Sequence, residues 1–131
     1  MAVQLNHTIV HARDAEASAA FLSEVLGVGA PHPFGPFVVV EVDNGASLDF
    51  MTTGPEWDIG VEHYAFLVSE AEFDEIFGRI QARGLTYYAD PHGNEPGQIN
   101  HHDGGRGVYW HDPDGHVLEI ITVPYGGWPS A

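Results

Sequence analysis

The sequence predicts an α+β fold of two tandem β-α-β-β-β units, and three observations support it. A strand-then-helix pattern over 6–26 recurs over 62–82, with His7 matching His63 and Phe21 matching Phe77 at one constant shift. The segment Asn44-Gly45-Ala46-Ser47-Leu48-Asp49-Phe50-Met51-Thr52 aligns without a gap on Asp114-Gly115-His116-Val117-Leu118-Glu119-Ile120-Ile121-Thr122. Each half thus has a His in its first strand and an acid in its last. A pseudo-two-fold between such units would bring His7, Asp49, His63 and Glu119 onto one concave sheet face. At 131 residues the chain is one domain long, expected to span 1–131 with units at approximately 1–55 and 60–125.

The elements follow in order. A strand from Gln4 to Ala12 places Leu5, His7, Ile9 and His11 on one face. Asp14 is suited to N-cap a helix from Ala15 to Leu26, and Gly27 to stop it. The run PHPFGP reads as a loop. Phe37 to Val42 and Ala46 to Thr52 form a hairpin across Asp43-Asn44-Gly45. After the polar TGPEWDIG comes a strand from Val61 to Val68. Ser69 and Glu72 form a capping box, and Phe73, Ile76, Phe77 and Ile80 give the helical period until Gly84. Leu85 to Ala89 reads as a short strand. The loop from Asp90 to Gly105 is long enough to suggest function. A last hairpin joins Gly107–His111 to His116–Val123 through Asp112-Pro113-Asp114-Gly115.

The final strand carries the chemical signal. Val117, Glu119 and Ile121 share one face and Leu118, Ile120 and Thr122 the other, so an acid stands in an otherwise apolar strand. A buried carboxylate needs a partner, because desolvation otherwise drives it neutral. The chain has 4 Lys plus Arg against 19 Asp plus Glu, a formal charge of −15, no Cys and 9 His. A metal ion or a His cluster is therefore the expected partner. The same balance argues against nucleic acid and anionic membranes, which need cations in number. With no leader-like N-terminus and no apolar run of spanning length, the expected location is cytoplasmic.

The paired units, the His opening each, and GVYWHDPDGHVLEI closing the second resemble the vicinal oxygen chelate superfamily, which includes glyoxalase I, extradiol dioxygenases and the fosfomycin- and bleomycin-resistance proteins. The resemblance covers nearly the whole chain. It implies a cupped mixed β-sheet with helices on its outer face, a divalent metal and a homodimer. By position, His7, His63 and Glu119 match the usual three ligands. Asp49 stands where glyoxalase I-like members place a fourth, a Glu one methylene longer.

The residues support the same chemistry on their own terms. Two His and one carboxylate leave open positions on an octahedral ion, which suits catalysis on a small molecule with neighbouring oxygens. They do not choose among Fe, Mn, Ni, Zn and Co. Without thiolates, a structural zinc site is disfavoured. Tyr109, His101, His102 and Arg106 are the candidates for catalytic groups. Tyr109 and Trp110 straddle their strand, so one faces the site and the other the core. Arg106 is suited to pair with a surface acid or with an anionic substrate. The loop from Asp90 to Arg106, which also holds His92, is the expected seat of specificity, with Trp57 and Trp128 at the rim. The expected function is a metal-dependent dioxygenase, lyase or isomerase. The alternatives are a protein that sequesters an antibiotic or aromatic metabolite, and a catalytically silent relative.

Overall fold

The computed structural model describes residues 3–129 and divides into two units, Met1–Gly60 and Val61–Ala131. The first contains β1 (His7–Ala12), α1 (Ala15–Leu26), β2 (His32–Phe34), β3 (Phe37–Glu41) and β4 (Ser47–Thr52). The second contains β5 (His63–Leu67), α2 (Glu70–Ala82), a 3-10 turn at His102–Gly104, β6 (Gly107–His111) and β7 (Val117–Ile121). The class is α+β, with one mixed sheet in each unit.

In unit 1 the sheet order is β1-β4-β3-β2, with β1 parallel to β4 and the other pairs antiparallel. α1 starts and stops where its caps require. The Asp14 carboxylate accepts from Ala17 N, and Gly27, at φ 72, donates its N–H to Ser23 O. The helix packs on β1, β3 and β4, and Leu22, Val25, Val10, Ala12, Val40, Leu48 and Phe50 are buried. The PHPFGP run contains β2, where a loop was expected. Its Pro33 is tolerable because β2 is the edge of the sheet.

In unit 2 the order is β5-β7-β6, with β5 parallel to β7 and β6 antiparallel to it. α2 opens with the complete capping box: Ser69 and Glu72 exchange side-chain and backbone hydrogen bonds, which hold the Glu72 carboxyl below its usual range. Its buried face is Phe73, Ile76 and Ile80. The strand expected at Leu85–Ala89 reduces to isolated bridges at Tyr88. Tyr88 exchanges both backbone hydrogen bonds with Tyr109, while Tyr87 and Ala89 turn their backbone groups to Gly97 and Glu95. The chain between 90 and 105 is tied down rather than open. Asp90 accepts from the backbone N–H groups of His92, Asn94 and Glu95, and Asn100 Nδ2 donates to Ala89 O.

The registers carry the sequence repeat into three dimensions. His7 lies opposite Ser47 and Ile9 opposite Asp49 in unit 1; His63 lies opposite Val117 and Ala65 opposite Glu119 in unit 2. The third strand agrees, with Val39 opposite Asp49 and Tyr109 opposite Glu119. In both units, then, the His and the acid share one face on a diagonal of adjacent parallel strands.

Candidate metal centre

β7 is the central strand of its sheet, so Glu119 is flanked on both sides and is 0% exposed. One neighbour is Ala65, whose single methyl leaves room above the strand. The imidazole of His63 crosses that room from two residues away and places Nε2 at 3.0 Å from Glu119 Oε1. Tyr109, opposite on β6, covers the other side and stacks on the His63 ring with centroids 5.9 Å apart. Glu119 Oε2 accepts the hydroxyl of Tyr125, and Tyr109 and Tyr125 share a hydroxyl–hydroxyl bond of 2.7 Å. Since the Tyr125 proton points to Glu119, Tyr109 is the donor of the second bond.

The histidine's orientation is informative. His63 Nδ1 lies 3.0 Å from Val117 O, and a carbonyl oxygen only accepts, so Nδ1 carries a proton. A neutral His63 would then aim the Nε2 lone pair at the carboxylate. The contact therefore requires a proton between the two groups, carried by Nε2 or by the carboxyl, or a cation bound by both. The donor set fits a divalent metal. An imidazole whose far N–H is bonded to a carbonyl is in the state in which histidines ligate metals, and ligating carboxylates are themselves held by a hydrogen bond, as Tyr125 holds Glu119. Two cis ligands of an octahedral ion, each roughly 2.1 Å from it, sit about 3.0 Å apart. That is the separation His63 and Glu119 show. Among the described residues, no three His, Cys, Asp or Glu side chains gather as a metal cluster.

The other candidates fall into place unevenly. In unit 1, Asp49 is nearly buried and accepts from Ser47 Oγ at 2.7 Å, while His7 is exposed and its Nδ1 lies 2.7 Å from Asn6 Oδ1. Trp110 is fully buried, so Tyr109 is the member of that pair on the site face. Arg106 turns to α2: it pairs with Glu70 and Asp74 and lies over the Phe73 ring at 4.3 Å. His101 is exposed, and His102 meets the Tyr125 ring edge-on at 6.2 Å. His116, in the DPDGH turn, is structural: buried, it takes the Glu62 N–H on Nδ1. The residue missing from the sequence reading is Tyr125. A Tyr before Gly-Gly signals a chain reversal, but no local pattern marks its hydroxyl as a partner of the acid.

A model of the Glyoxalase/Bleomycin resistance protein/Dioxygenase superfamily matches residues 4–120. The chain belongs to this superfamily. Among solved structures it is 65% identical to "Oxidase ChaP-H1", covering 96% of this chain and 100% of that one with a TM-score of 0.91. It is 58% identical to "Oxidase ChaP-H2", covering 97% and 98%, with a TM-score of 0.92. "Glutathione transferase FosA" of Serratia marcescens is 27% identical over 129 residues, 92% of this chain and 81% of that protein. The superfamily includes enzymes acting on small molecules. Among the described residues, no helix is long and apolar enough to cross a membrane.

The phenols at this superfamily member's site keep their protons. Burial, then the bond to Tyr125, pushes the Tyr109 hydroxyl far above its usual range; burial, then the bond to Glu119, raises that of Tyr125. A raised folded pKa means that the unfolded chain loses its protons first. The contribution of these two phenols to stability is therefore constant below about pH 10 and is lost as pH rises beyond it. In a phenolate absorbance titration of the 5 tyrosines, two are expected to ionise only with unfolding. Ionisation of all together, in the folded protein, would contradict the buried chain of hydroxyls.

Proposed function

We propose that this protein is a metal-dependent oxidase of a small molecule bearing neighbouring oxygens, with His63 and Glu119 as two of its three protein ligands. The third is His7, which holds the same register position on β1 that His63 holds on β5. The observation that carries the reading is His63 itself: with Nδ1–H committed to Val117 O, Nε2 meets a wholly buried carboxylate at 3.0 Å. The similarity to two proteins named oxidases, at 65% and 58% identity, supports oxidation over the thiol transfer suggested by a relative at 27%.

When bound there, a divalent ion would offer open positions for two substrate oxygens and, as Fe(II), for dioxygen. The chain's own residues do the rest. The Val117 carbonyl fixes the His63 tautomer, Tyr125 orients the carboxylate, and Tyr109 presents an aromatic face on the site side of β6. Tyr109 and Tyr125 stay protonated at physiological pH and can donate hydrogen bonds but not act as bases. The working form in this reading is a cytoplasmic homodimer. β1 and β5 are each an edge of their own sheet, and Leu5, Ile9, Val61 and Leu67 are exposed on or beside them.

Purified protein is expected to hold a stoichiometric transition metal, and the Fe(II)-loaded form to consume oxygen with one or more of a panel of catechols and α-hydroxyketones. His63→Ala and Glu119→Gln should each lower metal affinity at least about tenfold with the fold retained. Asp49→Ala should do less; an equal loss would mean four protein ligands. Unchanged metal occupancy in both principal variants would remove the ligand assignment. A protein that binds panel members without oxygen uptake would be a sequestering protein instead.

Light scattering at micromolar concentration is expected to give the mass of a dimer. A monomer would contradict the assembly.

A further inference from the structure

The segment after β7 does more than end the chain. Residues 124–128 form a tight turn, with Gly127 N donating to Pro124 O and both Gly126 and Gly127 at positive φ. The turn is moored at three points. Tyr125 donates its hydroxyl to Glu119, Tyr109 donates to Tyr125, and the next residue, Gly126, donates its N–H to Asp103 Oδ2 at 3.0 Å. Asp103 is the only described non-glycine residue at positive φ, 54°. Such a conformation persists where surrounding contacts hold it, and here it belongs to a residue that moors the turn. Tyr125 remains 55% exposed although its hydroxyl rests on a carboxylate with no exposure. Its ring is thus the outer wall of the site, with solvent on one side and Glu119 on the other.

We infer that Tyr125 is a positioning residue, held by Asp103, and that residues 124–128 form a latch that sets which oxygen of Glu119 is offered to a ligand. Resting on the reading of Glu119 as a metal ligand, the inference adds a part of the chain which that reading does not require. With Oε2 accepting from Tyr125, Oε1 is the oxygen that faces His63, so the carboxylate acts through one oxygen. Loss of the hydroxyl leaves a buried oxygen without its donor, so the carboxylate rotates out of its one-oxygen orientation or admits water. The loop holding Asp103 and the C-terminal turn are coupled by the same bond, so release at either end frees the wall.

The test uses the full chain and two variants. Tyr125→Phe keeps the ring and deletes only the hydroxyl; Asp103→Gly tolerates the positive φ and removes the side chain that carries the carboxylate. In metal-free protein, the Gly126 amide is expected to exchange with deuterium at least about tenfold faster in both variants than in the parent, with thermal melts confirming the fold. In titrations with Co(II), Tyr125→Phe should bind about 10- to 100-fold more weakly and show shifted d–d absorption bands, because the carboxylate changes its mode of contact. Equal exchange at Gly126 in all three proteins would overturn the latch. Unchanged affinity with unchanged bands would overturn the positioning role. Failure of the parent to take up Co(II) would instead overturn the metal reading and with it the positioning role, leaving the exchange experiment to decide the latch.

Discussion

One carboxylate with no solvent exposure governs the second unit. Leaving Glu119 ionised and unpaired would cost several kcal/mol, more than a domain of this size can spare without loss of stability. Its neighbours answer that cost in kind. Ala65 is small where a large side chain would block His63, Tyr109 is large where water would otherwise enter, and Tyr125 reaches back from beyond the strand to occupy the second oxygen. None of these is a fixed positive charge.

The first unit shows what the same frame does without that demand. Its registers are those of unit 2, strand for strand. The acid is Asp49, one methylene shorter, and Ile9 and Val39 stand where unit 2 has Ala65 and Tyr109. Ile stands beside the acid where unit 2 has Ala, and the short side chain is satisfied by Ser47 two residues away. The backbone repeat is thus preserved while the chemistry of the face is not.

Much of this was legible in the sequence because its signals are local. Asp14, Gly27, Ser69 and Glu72 mark helix ends through single hydrogen bonds, and both observed helices start where those caps put them. The Asn44-Gly45 and Asp112–Gly115 turns set the hairpin registers, and from them follows the burial of Glu119. β2 was hidden because an edge strand with Pro and Gly around it has the composition of a loop. The strand expected at Leu85–Ala89 failed for a non-local reason: the backbone of Tyr87 and Ala89 is taken by Gly97 and Glu95, leaving Tyr88 alone to bridge β6. Tyr125 was illegible for a similar reason. Its role depends on Gly126 being moored to Asp103, a contact no periodicity records. Charge balance points to a metal ion or a His cluster as the partner of Glu119; His63 meets one oxygen, and a neutral phenol meets the other.

The central claim is that the space between His63 Nε2 and Glu119 Oε1 is a cation site and not an ion pair complete in itself. Nitrogen-15 NMR of the His63 ring, recorded on metal-free protein and again with saturating Zn(II), tests it most directly. The expected result is that Nδ1 keeps its proton and its bond to Val117 O throughout, while Nε2 is unprotonated and shifts to a metal-bound value when Zn(II) is added. A His63 that remains a full imidazolium, with Nε2 protonated against Glu119 at saturating metal, would contradict it.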